Sequence, residues 1–157
     1  MSERYQELLD VAKKEIELAD HLLYVTYPMI KETKFMLAIS EHVIKAANLA
    51  LHALLEFERT YKRIEPFSTN FAVMISTYRN KVEQFYNFDQ KFYRLLNKLQ
   101  EIQRVGTESM MRFKRGEKYV LANQDYKLTT IDFESVKRYS NLTKNFVVIV
   151  SSLMQKV

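Results

Sequence analysis

The amino-acid sequence predicts an all-α chain: an up-and-down helical bundle of four to five helices with a short β-hairpin inserted near residues 110–121. Three observations carry this expectation. Only 2 Gly and 2 Pro occur in 157 residues, which starves the chain of turn-formers and favours long helices. Apolar residues recur at spacings of three and four along most of the length. Between Met110 and Leu121 the period shifts to two, the spacing of strands. At this length a single domain covering residues 1–157 is expected.

The first helix is capped by Ser2 and turns one apolar face inward through Tyr5, Leu8, Leu9, Ala12, Ile16, Ala19, Leu22 and Leu23. Pro28 has no N–H to give to a helix, so Tyr27-Pro28 is expected to break or kink the chain before helix two. Helix two, roughly residues 33–63, carries one stripe through Met36, Ile39, Val43, Ala46, Ala47, Ala50, Leu54 and Phe57. A second stripe runs through Leu37, Ile44, Leu51 and Leu55. A helix apolar on two sides must bury both, at the centre of a bundle or against another subunit, so a homodimer is an expectation.

Glu65-Pro66-Phe67-Ser68 closes helix two, and Ser68 or Thr69 caps a third helix whose apolar face is Phe71, Met74, Ile75, Tyr78, Val82 and Phe85. A joint at Asn87 leads to Phe88, Phe92, Leu95, Leu96, Leu99 and Ile102, which keep helical spacing to about Arg104, where Val105-Gly106-Thr107 interrupts it. Alternation of Met111 and Phe113 with Arg112 and Lys114, a turn at Arg115-Gly116, and Lys118-Tyr119-Val120-Leu121 make the hairpin. Thr130 or Asp132 then caps a last helix with Phe133, Val136, Phe146, Val147, Ile149, Val150 and Leu153 in the core.

Several function classes lose support from composition. The absence of Cys removes disulfides and thiolate metal sites and suits a reducing cytoplasm, the expected location. Met1 to Lys14 lack the apolar core of a secretory signal. The longest nearly uncharged run, Asn145 to Gln155, is about half of the ~20 residues that span a bilayer, so no membrane association is expected. A formal charge of +5, from 24 basic and 19 acidic residues, points toward an acidic partner such as RNA, although the two signs are interleaved.

His21, His42 and His52 form neither a Glu-x-x-His pair nor an i,i+4 His pair, so a di-iron or zinc helix motif is absent and no metal or other cofactor is expected. His42 and His52 stand ten residues apart, ~15 Å of helical rise, too far to share one small ion. Gly106 and Gly116 cannot build a phosphate-binding glycine loop, and no serine sits in a nucleophile elbow.

The most specific string is Ile75-Ser76-Thr77-Tyr78-Arg79-Asn80-Lys81-Val82-Glu83-Gln84-Phe85-Tyr86. It resembles the conserved helix of HEPN domains, whose motif is written R-N-x-x-x-H and is often followed by an aromatic residue; Arg79, Asn80 and Tyr86 fit it. The first helix and the Ala- and Leu-rich stretch from Ala38 to Phe57 are similar to that family's opening helices, whereas Asp89 to Thr130 is an insertion outside its pattern. The resemblance implies a helical dimer with two motifs facing each other, often a metal-independent ribonuclease in which His moves protons and Arg holds phosphate. Here Gln84 stands at the His position. An amide does not titrate near neutrality and cannot serve as general acid or base, though it still hydrogen-bonds. Arg79 keeps the planar donor fork that grips phosphate.

Two surfaces therefore compete as binding sites. One is Arg79, Asn80 and Gln84, for which the alternative is an ordinary helix face with an Arg79–Glu83 i,i+4 pair worth about 0.3 kcal/mol in its less favourable order. The other is the hairpin cluster Arg112, Lys114, Arg115 and Lys118, with Phe113, Tyr119 and Tyr126 nearby, able to neutralise phosphates and stack bases. Its alternative is an edge whose charges resist aggregation while Phe113 and Tyr119 pack inward. The expected function is a non-enzymatic HEPN-like interaction protein binding RNA, a nucleotide or a protein. An endoribonuclease with His42 or His52 as displaced base, and a helical scaffold with no nucleic-acid role, are the alternatives.

Overall fold

A computed structural model describes residues 3–108, 111–122 and 128–155. The chain is an all-α bundle with a small antiparallel sheet inserted before its last helix. Helix α1 (Arg4–His21) buries Leu8, Leu9, Ala12, Ile16 and Ala19, the face its spacing predicts; the expected cap Ser2 lies outside the described residues. Pro28 does not end the helix. A π-helical turn, Leu22–Thr26, precedes the one-turn helix α2 (Tyr27–Ile30), and the Tyr27 amide reaches five residues back to the Leu22 carbonyl. Pro28 falls in the first turn of α2, where a missing N–H is tolerated. The chain breaks instead at Lys31, whose φ of 53° is the left-handed cap of a helix end.

Helix α3 (Phe35–Thr60) is the central element, packed most extensively against α1 and next against α6. Its two apolar stripes are explained within one chain. Leu51 and Leu55 are fully buried and Ile44 nearly so, so this face is not left waiting for another subunit as a two-sided helix suggests. Only Leu37, at its N-terminal end, remains half-buried.

Helix α4 (Phe71–Thr77) is capped by Asn70 rather than by Ser68 or Thr69: its side-chain oxygen accepts from the Val73 amide at 3.2 Å, while Ser68 Oγ accepts from the Asn70 amide. A second π-helical turn, Tyr78–Val82, follows, closed by the Glu83 amide bonding to the Tyr78 carbonyl five residues back. Such a turn holds one extra residue, so everything beyond it rotates about the helix axis. Glu83 therefore turns inward, 6% exposed, and Phe85, expected in the core, turns outward, 68% exposed. Asn87, at φ 57°, forms the expected joint, because Asn tolerates the left-handed region.

Helix α5 (Gln90–Glu108) runs straight through Gly106 instead of stopping near Arg104. One glycine costs a helix about 1 kcal/mol, and the fully buried Val105 beside it holds the turn in place. Strands β1 (Met111–Arg115) and β2 (Lys118–Ala122) form the expected hairpin, but its turn is Gly116-Glu117 rather than Arg115-Gly116, because Arg115 still pairs with Lys118 as the last residue of β1. Gly116 has φ 64° and Glu117 is not among the residues of positive φ, the pattern of a type II′ turn. A third strand, β3 (Leu128–Ile131), pairs antiparallel with β2 and takes up Thr130, which therefore does not cap a helix. Asp132 caps α6 (Phe133–Gln155): its carboxylate accepts from the Ser135 amide at 2.8 Å, and Ser135 Oγ in turn accepts from the Asp132 amide. Helix α6 packs chiefly on α3 and buries Val136, Phe146, Val147 and Val150, with Phe146 among the rings of Tyr78, Phe88 and Phe92. Phe133, Ile149 and Leu153 lie at its half-buried margin.

Candidate functional site

The π-helical turn sets the geometry of the Arg79 segment. Tyr78 and Val82 point inward and Arg79, Asn80 and Gln84 point to solvent. Arg79 is held from two sides, its Nη1 3.4 Å from Glu83 Oε2 and its guanidinium 4.1 Å above the ring of Tyr93 on α5. A cation over an aromatic face at an exposed site is worth about 0.5–1 kcal/mol, so the side chain is positioned and its charge partly balanced. No described groove includes Arg79, Asn80 or Gln84 among its lining. Beneath them, burial and then the Glu83 charge push the Tyr78 hydroxyl far above its ordinary pKa, so it stays protonated.

Tyr86, the trailing aromatic of the motif, belongs to a separate buried cluster. Glu58 on α3 is 2% exposed. Arg63 grips it with Nε at 2.6 Å and Nη2 at 3.2 Å, and the Tyr86 hydroxyl donates to the same carboxylate. Burial, then the bond to Glu58, pushes Tyr86 up to about 12. Motif reasoning misses Glu58 and Arg63, yet the sequence holds a signal for them. Glu58 stands seven residues after Leu51 and three after Leu55, on the buried face of α3, and a carboxylate at such a position needs a cation.

Two of the three histidines, His42 and His52, pack against other side chains. His42 Nδ1 lies 2.7 Å from Glu15 Oε2, and Lys45 Nζ lies 3.2 Å from Glu15 Oε1. Burial raises the Glu15 pKa, but those two bonds together hold it below its ordinary value. His52 packs edge-on against Phe67 at 5.8 Å, and burial keeps its pKa below the ordinary imidazole value. Among the described residues no group of three His, Cys, Asp or Glu side chains could hold a metal ion, and no helix is long and apolar enough to cross a membrane.

Strand register divides the four hairpin cations. Residues directly opposite on paired strands share a face. Arg112 stands opposite Leu121 and Lys114 opposite Tyr119, whereas Arg115 stands opposite Lys118. Leu121 is fully buried and Tyr119 packs on the core, so Arg112 and Lys114 belong to the helix-facing side. Arg112 reaches back to the Gly106 carbonyl at 2.7 Å. Arg115 and Lys118 take the outer side, around a hollow of about 440 Å³ shared with Val120, Leu128 and Thr130. Tyr119 stands opposite Lys114, not Phe113, so positions 113 and 119 alternate to different faces and cannot both pack inward together. The Phe113 side chain and Tyr126 lie outside the described residues.

Comparison of the chain with protein-family models, curated proteins and solved structures finds no match. The functional reading therefore stands on the residues themselves.

Proposed function

We propose that this chain is a non-enzymatic, HEPN-like binding protein that holds RNA by its phosphates at the end of the hairpin and works as a pair of copies. The observation that carries the reading is the cross-strand pair Arg115 and Lys118. Like charges directly opposite one another destabilise a sheet, and a phosphate between them removes the repulsion and gains two charge-assisted bonds. Edge protection does not account for Lys118, which stands on β2, the middle strand of the sheet. The non-enzymatic part of the reading is supported by Gln84, an exposed amide at the position where the resembled motif needs a titrating group.

For pairing, the exposed Phe85 lies beside a groove of about 420 Å³ lined by Tyr86, Phe88, Val148 and Leu153. A knob next to a hole on one face suits a two-fold interface. Asp89 and Lys91 on the same rim would meet in opposite-charge pairs across it.

The test is fluorescence anisotropy of a labelled single-stranded RNA between 50 and 200 mM salt. Changing Arg115 and Lys118 together to Gln is expected to flatten the logarithmic salt slope by about 1.4, at ~0.7 for each phosphate no longer neutralised. RNA that fails to bind, or binds with an unchanged slope, refutes the reading; RNA that is cleaved refutes its non-enzymatic part. Sedimentation of a pair that Phe85→Ser converts to monomer supports the interface, and a monomeric parent chain removes it.

A further inference from the structure

We infer that residues 78–87 are a register switch with two positions: the π-helical turn displays Phe85 at the surface, and relaxation of that turn to an α-turn seats Phe85 where Tyr86 now stands and so withdraws it. The switch stands on the packing of one chain. Its consequence for assembly rests on the pairing reading above, because Phe85 is the knob of that face. A second copy selects the displayed register, and pairing weakens in proportion to the fraction of chains that hold Phe85 withdrawn.

Spacing and fold disagree here by one residue. Phe71, Met74, Ile75, Tyr78, Val82 and Phe85 share one α-helical face, yet the Glu83 amide bonds the Tyr78 carbonyl five residues back, and the extra residue carries Phe85 outward to 68% exposure. Two consequences of that turn are unfavourable. A large apolar ring faces water. Glu83 is buried with Oε2 3.4 Å from Arg79 Nη1, but its Oε1 finds no hydrogen-bond partner among the described residues. With one residue fewer in the turn, each residue beyond it moves into the place of the next. Phe85 then takes the half-buried place of Tyr86 beside Phe88, Gln84 takes the place of Phe85, and Glu83 takes the exposed place of Gln84. The spare residue falls into the irregular link from Asn87 to Asp89, ahead of α5. Tyr86 holds the present register: its hydroxyl donates to buried Glu58 and accepts from Arg63 Nη2 at 3.3 Å, and a phenylalanine in that seat makes neither bond.

The chain has no Trp, so Phe85→Trp places a single reporter at the switch, read by emission wavelength and acrylamide quenching across a dilution series. At the lowest concentration the indole is expected to be exposed, with red-shifted emission and ready quenching. Adding Tyr86→Phe, which removes only the hydroxyl bound to Glu58, should favour the withdrawn register by about tenfold, the scale of one bond to a charged group. Emission then moves to the blue and quenching falls at every concentration. Deleting Lys81, exposed within the turn, from that double variant should return the indole to water, since an α-turn with one residue fewer presents the same faces as the π-helical turn. Fluorine NMR of fluorophenylalanine-labelled chain, with the Phe85 line identified by its loss in Phe85→Leu, gives the same reading without the bulk of an indole. In sedimentation, Tyr86→Phe alone should weaken pairing. Position 85 exposed by both reporters after Tyr86→Phe overturns the switch, and so does a folded Lys81 deletion that leaves the indole withdrawn. A parent chain monomeric at all concentrations refutes the pairing reading, while the emission at low concentration still decides the switch.

Discussion

Removing Arg63 should destabilise the protein more than an exposed-arginine change can. Glu58 is buried, and Arg63 supplies two of its bonds. Deleting one partner of a buried ion pair costs about 3–5 kcal/mol, because the remaining charge is stranded. The Arg63 side chain is 32% exposed, which places its removal at the lower end. Its guanidinium also lies 5.3 Å from the Phe57 ring and 5.2 Å from the Tyr61 ring, each stacking worth ~0.5 kcal/mol. Arg63→Ala is thus expected to cost about 3–4 kcal/mol. With an m-value near ~2 kcal/mol/M, the urea midpoint falls by about 1.5–2 M. The converse variant sharpens the test: replacing Glu58 and Arg63 together by Met removes the stranded charge and should recover most of that stability. A midpoint within about 0.3 M of the parent for Arg63→Ala, or a double variant no better than the single, refutes the assignment of a buried pair.

The remaining predictions concern pH and capping. His52 is held below its ordinary pKa by burial, which outweighs the attraction of Glu56. The unfolded chain therefore binds the proton first, and stability should fall as pH drops below ~6.5. His52→Gln should remove that component, so the melting-temperature gap between variant and parent changes between pH 7.5 and 5; a constant gap rejects it. Asp132 is held below its ordinary pKa chiefly by the Ser135 amide, against the opposing effect of burial. Its contribution is present above ~3.9 and disappears as pH falls through the lower folded value. Asp132→Ala should cost about 1 kcal/mol at neutral pH, and that cost should shrink in acid melts; equal costs at pH 7 and pH 3 contradict the assignment.

The helices are legible because each buries one face, and burial at three-and-four spacing leaves a periodic trace. Leu8, Leu9, Ala12 and Ile16 on α1, and Val136, Phe146 and Val150 on α6, occupy the places their spacing predicts. What escapes is what changes register without changing composition. Neither Leu22–Thr26 nor Tyr78–Val82 carries a residue that announces a π-helical turn, since the extra residue is accommodated by backbone bonds to the fifth carbonyl back. Gly106 misleads in the other direction, as a local propensity overruled by the packing of Val105. Strand β3 escapes because its ladder bonds to β2 belong to the pairing and not to either sequence alone.

The same distinction separates what is legible in the candidate sites. The i,i+4 relation of Arg79 and Glu83 is a matter of local spacing, and the pair is present at 3.4 Å; its second partner, Tyr93, comes from another helix and no spacing rule reaches it. The hairpin cations are visible as a cluster, and period-two alternation already places Arg112 and Lys114 on one face; what it leaves unplaced is Arg115, read as part of the turn. Strand pairing extends β1 through Arg115 and sends Arg112 and Arg115, three positions apart, to opposite faces, because an odd offset along a strand reverses direction. That reversal gives the hairpin two chemistries. Its outer face holds the cationic pair Arg115 and Lys118, and its helix-facing side holds Arg112, bonded to the Gly106 carbonyl. Binding of RNA, if the proposed reading holds, should therefore depend on Arg115 and Lys118 and survive Arg112→Gln. A variant set in which Arg112→Gln weakens that binding as much as loss of the outer pair would mean that charge, not strand geometry, governs the surface.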